Sequence, residues 1–182
     1  MTQAKPLENK TIIITGGSRG IGREIALKAA GDGANIVIAS KSDTPHAKLP
    51  GTIHSVAEEV IAAGGKALAI KVDVRDEQSI YAMVEQTVGT FGGIDALINN
   101  AGAIHLKGIE ETPIKRFDLM HAINERAVLL CTQAALPHLK KSENGHIISM
   151  SPPISLKKQW LKPHIAYTVT KYGMSLLTMG MA

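Results

Sequence analysis

Short apolar segments alternate with longer amphipathic segments along the whole of this 182-residue chain, and this alternation restricts its fold more than any other feature. Continuous runs rich in Ile and Val are typical of parallel strands that are buried on both faces. The segments that predict strands are "TIIIT" (11–15), "NIVIAS" (35–40), "KALAIKVDV" (66–74), "IDALIN" (94–99) and "HIISM" (146–150).

The intervening segments carry apolar residues at three- and four-residue spacing, which predicts helices at 22–33, 51–65, 76–93, 112–141 and 165–182. The alternation predicts an α/β fold, a Rossmann-type doubly wound parallel sheet with right-handed crossovers. We expect one domain over residues 1–182. Because the last helical pattern runs to Ala182 with no closing strand, we expect further strands to be missing after the helix that carries Tyr167 and Lys171.

Composition narrows the classes of function. The 45% hydrophobic and 20% charged residues are typical of a globular protein, and the net charge of +4 comes from scattered side chains, so no nucleic-acid partner is expected. The N-terminus lacks the apolar region of a signal peptide and no apolar run is long enough to cross a bilayer, so we expect no membrane span and a cytoplasmic location. One cysteine, Cys131, and histidines without ligand spacing predict no metal site.

The stretch "TIIITGGSRGIG" leads from the first strand into the first helix and contains a glycine turn. Such a turn lets backbone approach a phosphate, while the helix N-terminus offers free N–H groups and a positive dipole to a pyrophosphate. The alternative is a glycine turn needed only for packing. The turn residues that we expect to bind a dinucleotide are Gly16, Gly17, Ser18, Arg19, Gly20, Ile21 and Gly22.

The end of the second strand, "IASKSD", indicates which dinucleotide is bound. An acidic residue there would bind the adenosine ribose, whereas a basic residue accommodates a 2′-phosphate. Ser40 and Lys41 occupy the deciding positions and Arg19 is near, which favours NADP(H) over NAD(H). Asp43, two residues beyond Lys41, is the argument for NAD(H).

Polar and small residues follow the third and fourth strands. Asp73 and Val74 are expected at the ligand-binding edge of the sheet, with the Asp73 carboxylate accepting from an adenine amino group or acting as a helix cap or turn residue. In "INNAG", Asn99 and Asn100 can tie neighbouring strands together. Asn100 and the small residues Ala101 and Gly102 are expected to border the cofactor.

The pattern "YTVTK" places Tyr167 and Lys171 four residues apart, on one face of a helix. Reduction of a carbonyl needs a proton for the forming alkoxide, and a phenol can supply it. An ammonium beside the phenol would lower its pKa from about 10. We expect Tyr172, one residue further on, to serve in packing.

"TGGSRGIG", "DV" at 73–74, "NNAG", Asn124 and "YTVTK" together resemble the short-chain dehydrogenase/reductase family, over about residues 10–182. The resemblance implies an NAD(P)-dependent oxidoreductase that interconverts an alcohol and a carbonyl. "VDVRDEQ", "SPPISL" and "AYTVTKYGMS" are similar to a hydroxysteroid dehydrogenase-like branch, which implies NADP(H) and a lipid-like or steroid-like small molecule.

The family pattern implies a role for each catalytic candidate. Tyr167 would be the proton donor or acceptor, Lys171 would lower its pKa and hold the nicotinamide ribose, and Asn124 would hold a water that relays protons to Lys171. The family's serine falls on Pro152 in "ISMSPPIS", which leaves Ser151 as the first candidate, Ser155 as the second, or no catalytic serine.

Two other functions are compatible with parts of the sequence: a dinucleotide-binding module or redox sensor with little catalysis, and a Rossmann-type methyltransferase, which would not need the Tyr–Lys pair.

We expect the substrate pocket near 103–112 and 152–165. The long segment 112–136 could pack against a second copy, so a homo-oligomer is expected.

Overall fold

A computed structural model describes residues 5–47 and 49–182. Its centre is a sheet of five parallel strands in the order β3-β2-β1-β4-β5. The strands are β1 Thr11–Thr15, β2 Asn35–Ser40, β3 Lys66–Lys71, β4 Ala96–Asn99 and β5 His146–Ser149. The Rossmann-type doubly wound sheet predicted from the alternation of segments is confirmed.

Helices cover both faces of the sheet. They are α1 Gly20–Gly31, α2 Ile53–Ala62, α3 Glu77–Phe91, α4 Ile114–His121, α5 Ala127–Leu139, α6 Lys158–Leu161 and α7 Ile165–Gly180. The single helix expected over 112–141 is interrupted by a π-helical turn at Ala122–Arg126, and the short helix α6 was not predicted. Turns of this type often occur at functional sites.

The core consists of two apolar layers, one on each face of the sheet. Successive strand side chains point to opposite faces, so Ile13 joins the layer beneath α3 and α5, whereas Ile12 and Ile14 join the layer beneath α1 and α2. Because the central strands are buried on both sides, their sequences are apolar throughout rather than alternating.

All five strands end at the same edge of the sheet, and the strand order reverses between β1 and β4. Ligands of doubly wound sheets bind at this switch point. The third strand was predicted to reach Val74 but ends at Lys71. The chain turns at Asp73, whose carboxylate accepts from Arg75 N at 3.1 Å and whose carbonyl accepts from Asp76 N at 2.9 Å. Asp73 therefore lies in the loop beyond the strand.

Within residues 5–47 and 49–182, every helix is too short or too polar to cross a bilayer.

Candidate active site

The glycine turn is fastened to the end of β4. Asn100 Nδ2 donates to Thr15 O at 3.0 Å and to Gly16 O at 3.1 Å, and Asn100 N donates to Thr15 Oγ1 at 3.1 Å. Gly16 has a φ of +67°, a left-handed conformation that favours glycine. Asn100 thus links β4 to the turn after β1, as its position suggested. The neighbouring Asn99 pairs with Ser149 of β5 through its backbone, and its side-chain Nδ2 has no partner in the described part of the chain.

The N-terminus of α1 suits an anion. Arg19 is the N-cap residue, and its side chain makes no capping hydrogen bond; the first turn contains no acidic residue. The first backbone N–H groups of a helix lack intrahelical partners and carry a partial positive charge. This helix end can therefore receive a pyrophosphate.

A cleft of about 360 Å³ opens beside this turn at the carboxyl edge of the sheet. Ten of the predicted cofactor residues line it: Gly16, Ser18, Arg19, Ser40, Lys41, Asp73, Val74, Asn100, Ala101 and Gly102. Ala39, Ser42, Val72 and Ile123 also line it and were not predicted. The predicted residues Gly17, Gly20, Ile21, Gly22 and Lys171 lie outside this lining.

Cationic and hydroxyl side chains surround the end of β2. Arg19 donates to Ser42 Oγ at 2.7 Å and to Gly51 O at 3.3 Å, and the Ser18 and Ser40 hydroxyls are 3.0 Å apart. Asp43, the residue that argued for NAD(H), does not line the cleft. Hydrogen bonds from His54, at 2.8 Å, and then from Lys71 hold its carboxylate and lower its pKa.

Asp73 faces the cleft with its charge already paired. Arg75 binds its carboxylate through two nitrogens, at 2.9 and 2.6 Å, and Lys41 Nζ lies 3.3 Å away. The Arg75 hydrogen bonds, and next those from Lys41, hold the pKa of this carboxyl well below its ordinary value. Of the two roles considered for Asp73, the structure shows the turn, and the contact with an adenine amino group stays a prediction.

Helix α7 carries Tyr167 and Lys171 into a second, apolar pocket of about 350 Å³. Burial raises the pKa of the Tyr167 phenol, which makes no hydrogen bond within the described residues. Lys171 is 8% exposed, and burial lowers its pKa. Its Nζ donates to Met150 O at 2.5 Å. The pKa of the phenol is therefore raised by burial, opposite in direction to the lowering predicted from the neighbouring ammonium.

The apolar pocket brings together the two loops in which we expected the substrate. Its remaining lining residues are Leu106, Pro152, Pro153, Ser155, Trp160, His164, Thr168 and Tyr172. Leu106 comes from the loop after β4, and Pro152 to Trp160 come from the segment after β5.

The two candidate serines have different surroundings. The Ser151 hydroxyl donates to Lys171 O at 2.7 Å and lies 2.6 Å from Ser175 Oγ, so it fastens the end of β5 to the side of α7. Ser151 is absent from the pocket lining, whereas Ser155 lines it together with Tyr167.

Tyr172 fixes the loop that carries Ser155. Its phenol accepts from Ser155 N at 2.9 Å and donates to Ser155 O at 2.8 Å. We expected only a packing role, because one residue of offset on a helix turns a side chain by about 100°. The loop after β5 bends towards Tyr172, and the position of Tyr172 in its helix does not indicate this bend.

Asn124 lies in the π-helical turn and is fully buried. Its Oδ1 accepts from Ala103 N at 2.8 Å, and its Nδ2 donates to Ala103 O at 2.9 Å and to Thr170 Oγ1 at 3.0 Å. Asn124 therefore joins the loop beside the cofactor cleft to the helix that carries Tyr167. A poor helix-forming residue in the middle of a long helical pattern was the signal for this position.

Within residues 5–47 and 49–182, there is no cluster of three or more His, Cys, Asp or Glu that could hold a metal ion.

Comparisons with known proteins match the part of the chain that carries these residues. The family model described as short chain dehydrogenase matches residues 10–182. Hydroxysteroid dehydrogenase-like protein 2 of Danio rerio is 59% identical over 172 residues, and the human protein of the same name is 58% identical. Each match covers 94% of this chain and 41% of the relative, so the chain spans about two fifths of the length of these curated relatives.

Solved structures show the same similarity. A putative dehydrogenase from Xanthomonas campestris has a TM-score of 0.94 at 56% identity, covering 97% of this chain and 65% of that one. A metagenomic short-chain oxidoreductase in complex with NADP has a TM-score of 0.85 at 28% identity, covering 97% of this chain and 76% of that one. The resemblance inferred from the motifs is confirmed.

Proposed function

The chain belongs to the short-chain dehydrogenase family, and from that premise we propose that it is an NADP(H)-dependent oxidoreductase that interconverts an alcohol and a carbonyl on an apolar, lipid-like small molecule. The observation that carries the proposal is the position of Asn124. It links the loop of the cofactor cleft, through Ala103, to Thr170, one residue before Lys171 on α7. The cleft and the apolar pocket are thereby held at one edge of the sheet.

Three features support a cofactor with a 2′-phosphate. Arg19 and Lys41 bring two cationic groups to the end of β2, where Ser40 and Ser42 add hydroxyls. The Asp43 carboxylate is bound by His54 and Lys71 outside the cleft, and the Asp73 carboxylate is paired with Arg75 and Lys41. Neither carboxylate is therefore left unpaired to repel a phosphate. A relative of known structure is described in complex with NADP. When bound, the nicotinamide group would supply or accept the hydride at the substrate carbon.

Tyr167 is the proposed acid–base residue. Burial raises its pKa, so the phenol is protonated at neutral pH and can donate to the alkoxide that forms when a carbonyl is reduced. Lys171, one helical turn away, would stabilise the phenolate that remains after transfer. Asn124 is proposed as the residue that positions α7 and holds the relay water.

Ser155 is the serine that we propose to polarise the carbonyl. It lines the pocket with Tyr167, and among the described residues its Oγ accepts a single long hydrogen bond, of 3.4 Å, from Lys157 N. Its hydroxyl proton is therefore free to donate to a substrate oxygen. The Ser151 hydroxyl, our first candidate, already bonds to α7.

The apolar lining of the pocket supports a hydrophobic substrate, and the curated relatives carry a hydroxysteroid dehydrogenase-like name.

We also propose a homo-oligomer formed through α4 and α5, because Ile114 and Leu129 are exposed on them at 73% and 38%. Size-exclusion chromatography with light scattering tests that part.

The direct experiment follows NADPH oxidation with a panel of aldehydes, medium-chain ketones and cyclic ketones. We expect turnover of apolar ketones, with NADPH preferred to NADH. Tight NADPH binding without turnover of any carbonyl would instead support a dinucleotide-binding module or redox sensor.

A further inference from the structure

The segment between β5 and α6 carries Ser155 to the apolar pocket, and little within the segment itself holds it in place. Pro152 and Pro153 have no backbone N–H to donate. In the part of the chain that the structure describes, residues 152–156 form no backbone-to-backbone hydrogen bond. Burial does not hold the segment either, because Leu156, next to Ser155, is 83% exposed. The position of Ser155 therefore depends on a side chain from elsewhere.

The Tyr172 phenol makes that contact. It donates to Ser155 O at 2.8 Å and accepts from Ser155 N at 2.9 Å, so one hydroxyl bonds both backbone polar groups of a single residue. A serine has only one side-chain torsion before its hydroxyl oxygen, so a fixed backbone limits Oγ to three staggered positions. Tyr172 therefore determines where the Ser155 hydroxyl can lie.

Tyr172 belongs to α7, the helix that also carries Tyr167. Asn124 fastens this helix through Thr170. The phenol that we propose as proton donor and the hydroxyl that we propose as carbonyl polariser are thus both positioned by one helix. Such common positioning matters because a displacement of about 1 Å in a reacting group can cost about 100-fold in rate.

We propose that Tyr172 is a positioning residue of the reaction, which holds Ser155 where its hydroxyl can donate to the carbonyl oxygen of the substrate. The proposal rests on the proposed function for the role of Ser155. The single proton of the Tyr172 phenol is donated to Ser155 O, so Tyr172 acts through Ser155 and does not share the proton transfer assigned to Tyr167.

The experiment is a double-mutant cycle of Tyr172→Phe and Ser155→Ala, with NADPH oxidation by decan-2-one as the assay. Phenylalanine keeps the ring that lines the pocket and removes only the phenol oxygen. Tyr81→Phe removes the same atom from an exposed ring on α3 and is the matched control.

We expect Tyr172→Phe to lower kcat about tenfold and to leave the Kd of NADPH unchanged, whereas Tyr81→Phe leaves both unchanged. In the Ser155→Ala background, Tyr172→Phe should lower kcat by less than about twofold, because the hydroxyl that it positions is already absent. Unchanged kcat in Tyr172→Phe overturns the proposal. Losses that multiply in the double variant overturn it too, because they show that Tyr172 acts independently of Ser155.

Hydrogen exchange of the peptide 151–157 measures the link between the two residues without any turnover. Its two prolines contribute no amide, so the Ser155 amide is one of the few that it reports. Exchange should become faster in Tyr172→Phe and stay the same in Tyr81→Phe. Unchanged exchange in Tyr172→Phe overturns the proposal, since Ser155 would then be held by other contacts.

Calorimetric binding of decan-2-one to the NADP⁺-loaded protein separates this proposal from the proposed function. If no carbonyl is reduced, the proposed function fails on its own, and the same double-mutant cycle is measured in the Kd of the ketone. Weaker binding in both single variants, with no further loss in the double variant, supports the role of Tyr172. Equal binding in Tyr172→Phe and the unmodified protein, or losses that multiply, overturns it.

Discussion

Gly22 packs so closely against Asn100 that a Cβ atom at position 22 would lie 2.5 Å from Asn100 Nδ2 and 2.7 Å from Gly16 O. Because Asn100 Nδ2 also bonds to the glycine turn, Gly22→Ala should displace the turn that we propose binds the pyrophosphate. We expect a loss of about 1–3 kcal/mol in the free energy of urea unfolding, together with weaker NADPH binding. Gly89→Ala on α3 is the control, because its Cβ would meet no atom within 4 Å. It should be neutral or slightly stabilising; similar losses in both variants would contradict the close packing.

Arg19 and Lys41 provide the test of cofactor choice. Removing either cation should weaken NADPH binding about 10- to 100-fold, the effect of one charge-assisted hydrogen bond, and should change NADH binding little. Fluorescence titration of Arg19→Ala and Lys41→Ala with both cofactors measures this. Lys66→Ala, at the opposite end of the neighbouring strand, serves as the control. Equal losses for NADH and NADPH would argue against a 2′-phosphate site at the end of β2.

The two serines are distinguished by substituting each with alanine. Ser155→Ala should lower kcat about 10- to 100-fold, because the reacting oxygen loses a hydrogen-bond donor. Ser151→Ala should stay within a few-fold in kcat and lose about 1 kcal/mol of stability, because it removes the link to α7. The reverse ranking in kcat would restore Ser151 as the polarising group.

Lys171 makes stability depend on pH in a defined direction. Burial lowers its folded-state pKa below the ordinary 10.5. Between the lowered value and 10.5, the unfolded chain binds the proton more readily than the folded one, so this lysine contributes stability that increases as pH rises through that window. The Tm of Lys171→Met relative to the unmodified protein should therefore fall as pH is raised from 7 towards 10. A difference that is constant or increases over that range would show that the ammonium is not penalised by burial.

Much of this arrangement could be predicted from sequence because it depends on local patterns. Ile12, Ile13 and Ile14 belong to a strand buried on both faces. A short, continuous apolar run of this kind is compatible with few other structures. The glycine turn and the Tyr167–Lys171 spacing could also be predicted, because each lies within a single turn or helix and depends on residues close together in sequence. These features located the sheet, the cleft and the helix that carries Tyr167 and Lys171.

The features that escaped prediction depend on contacts between distant segments. Ser151 turns towards α7 because Lys171 O and Ser175 Oγ are there, and Tyr172 meets Ser155 only through the bend of the loop after β5. The β3 strand ends early because Asp73 binds Arg75 and starts a turn, although Val74 has a high β propensity.

The central claim is that Tyr167 transfers the proton in an NADPH-dependent carbonyl reduction. Tyr167→Phe removes one oxygen, which has no hydrogen-bond partner in the described part of the chain, so stability and NADPH affinity should change little. Tyr81→Phe, at an exposed position on α3, is the matched control. The decisive measurement is kcat for NADPH oxidation with an apolar ketone: we predict a loss of at least about 100-fold in Tyr167→Phe and none in Tyr81→Phe. Unchanged turnover in Tyr167→Phe would contradict the assignment.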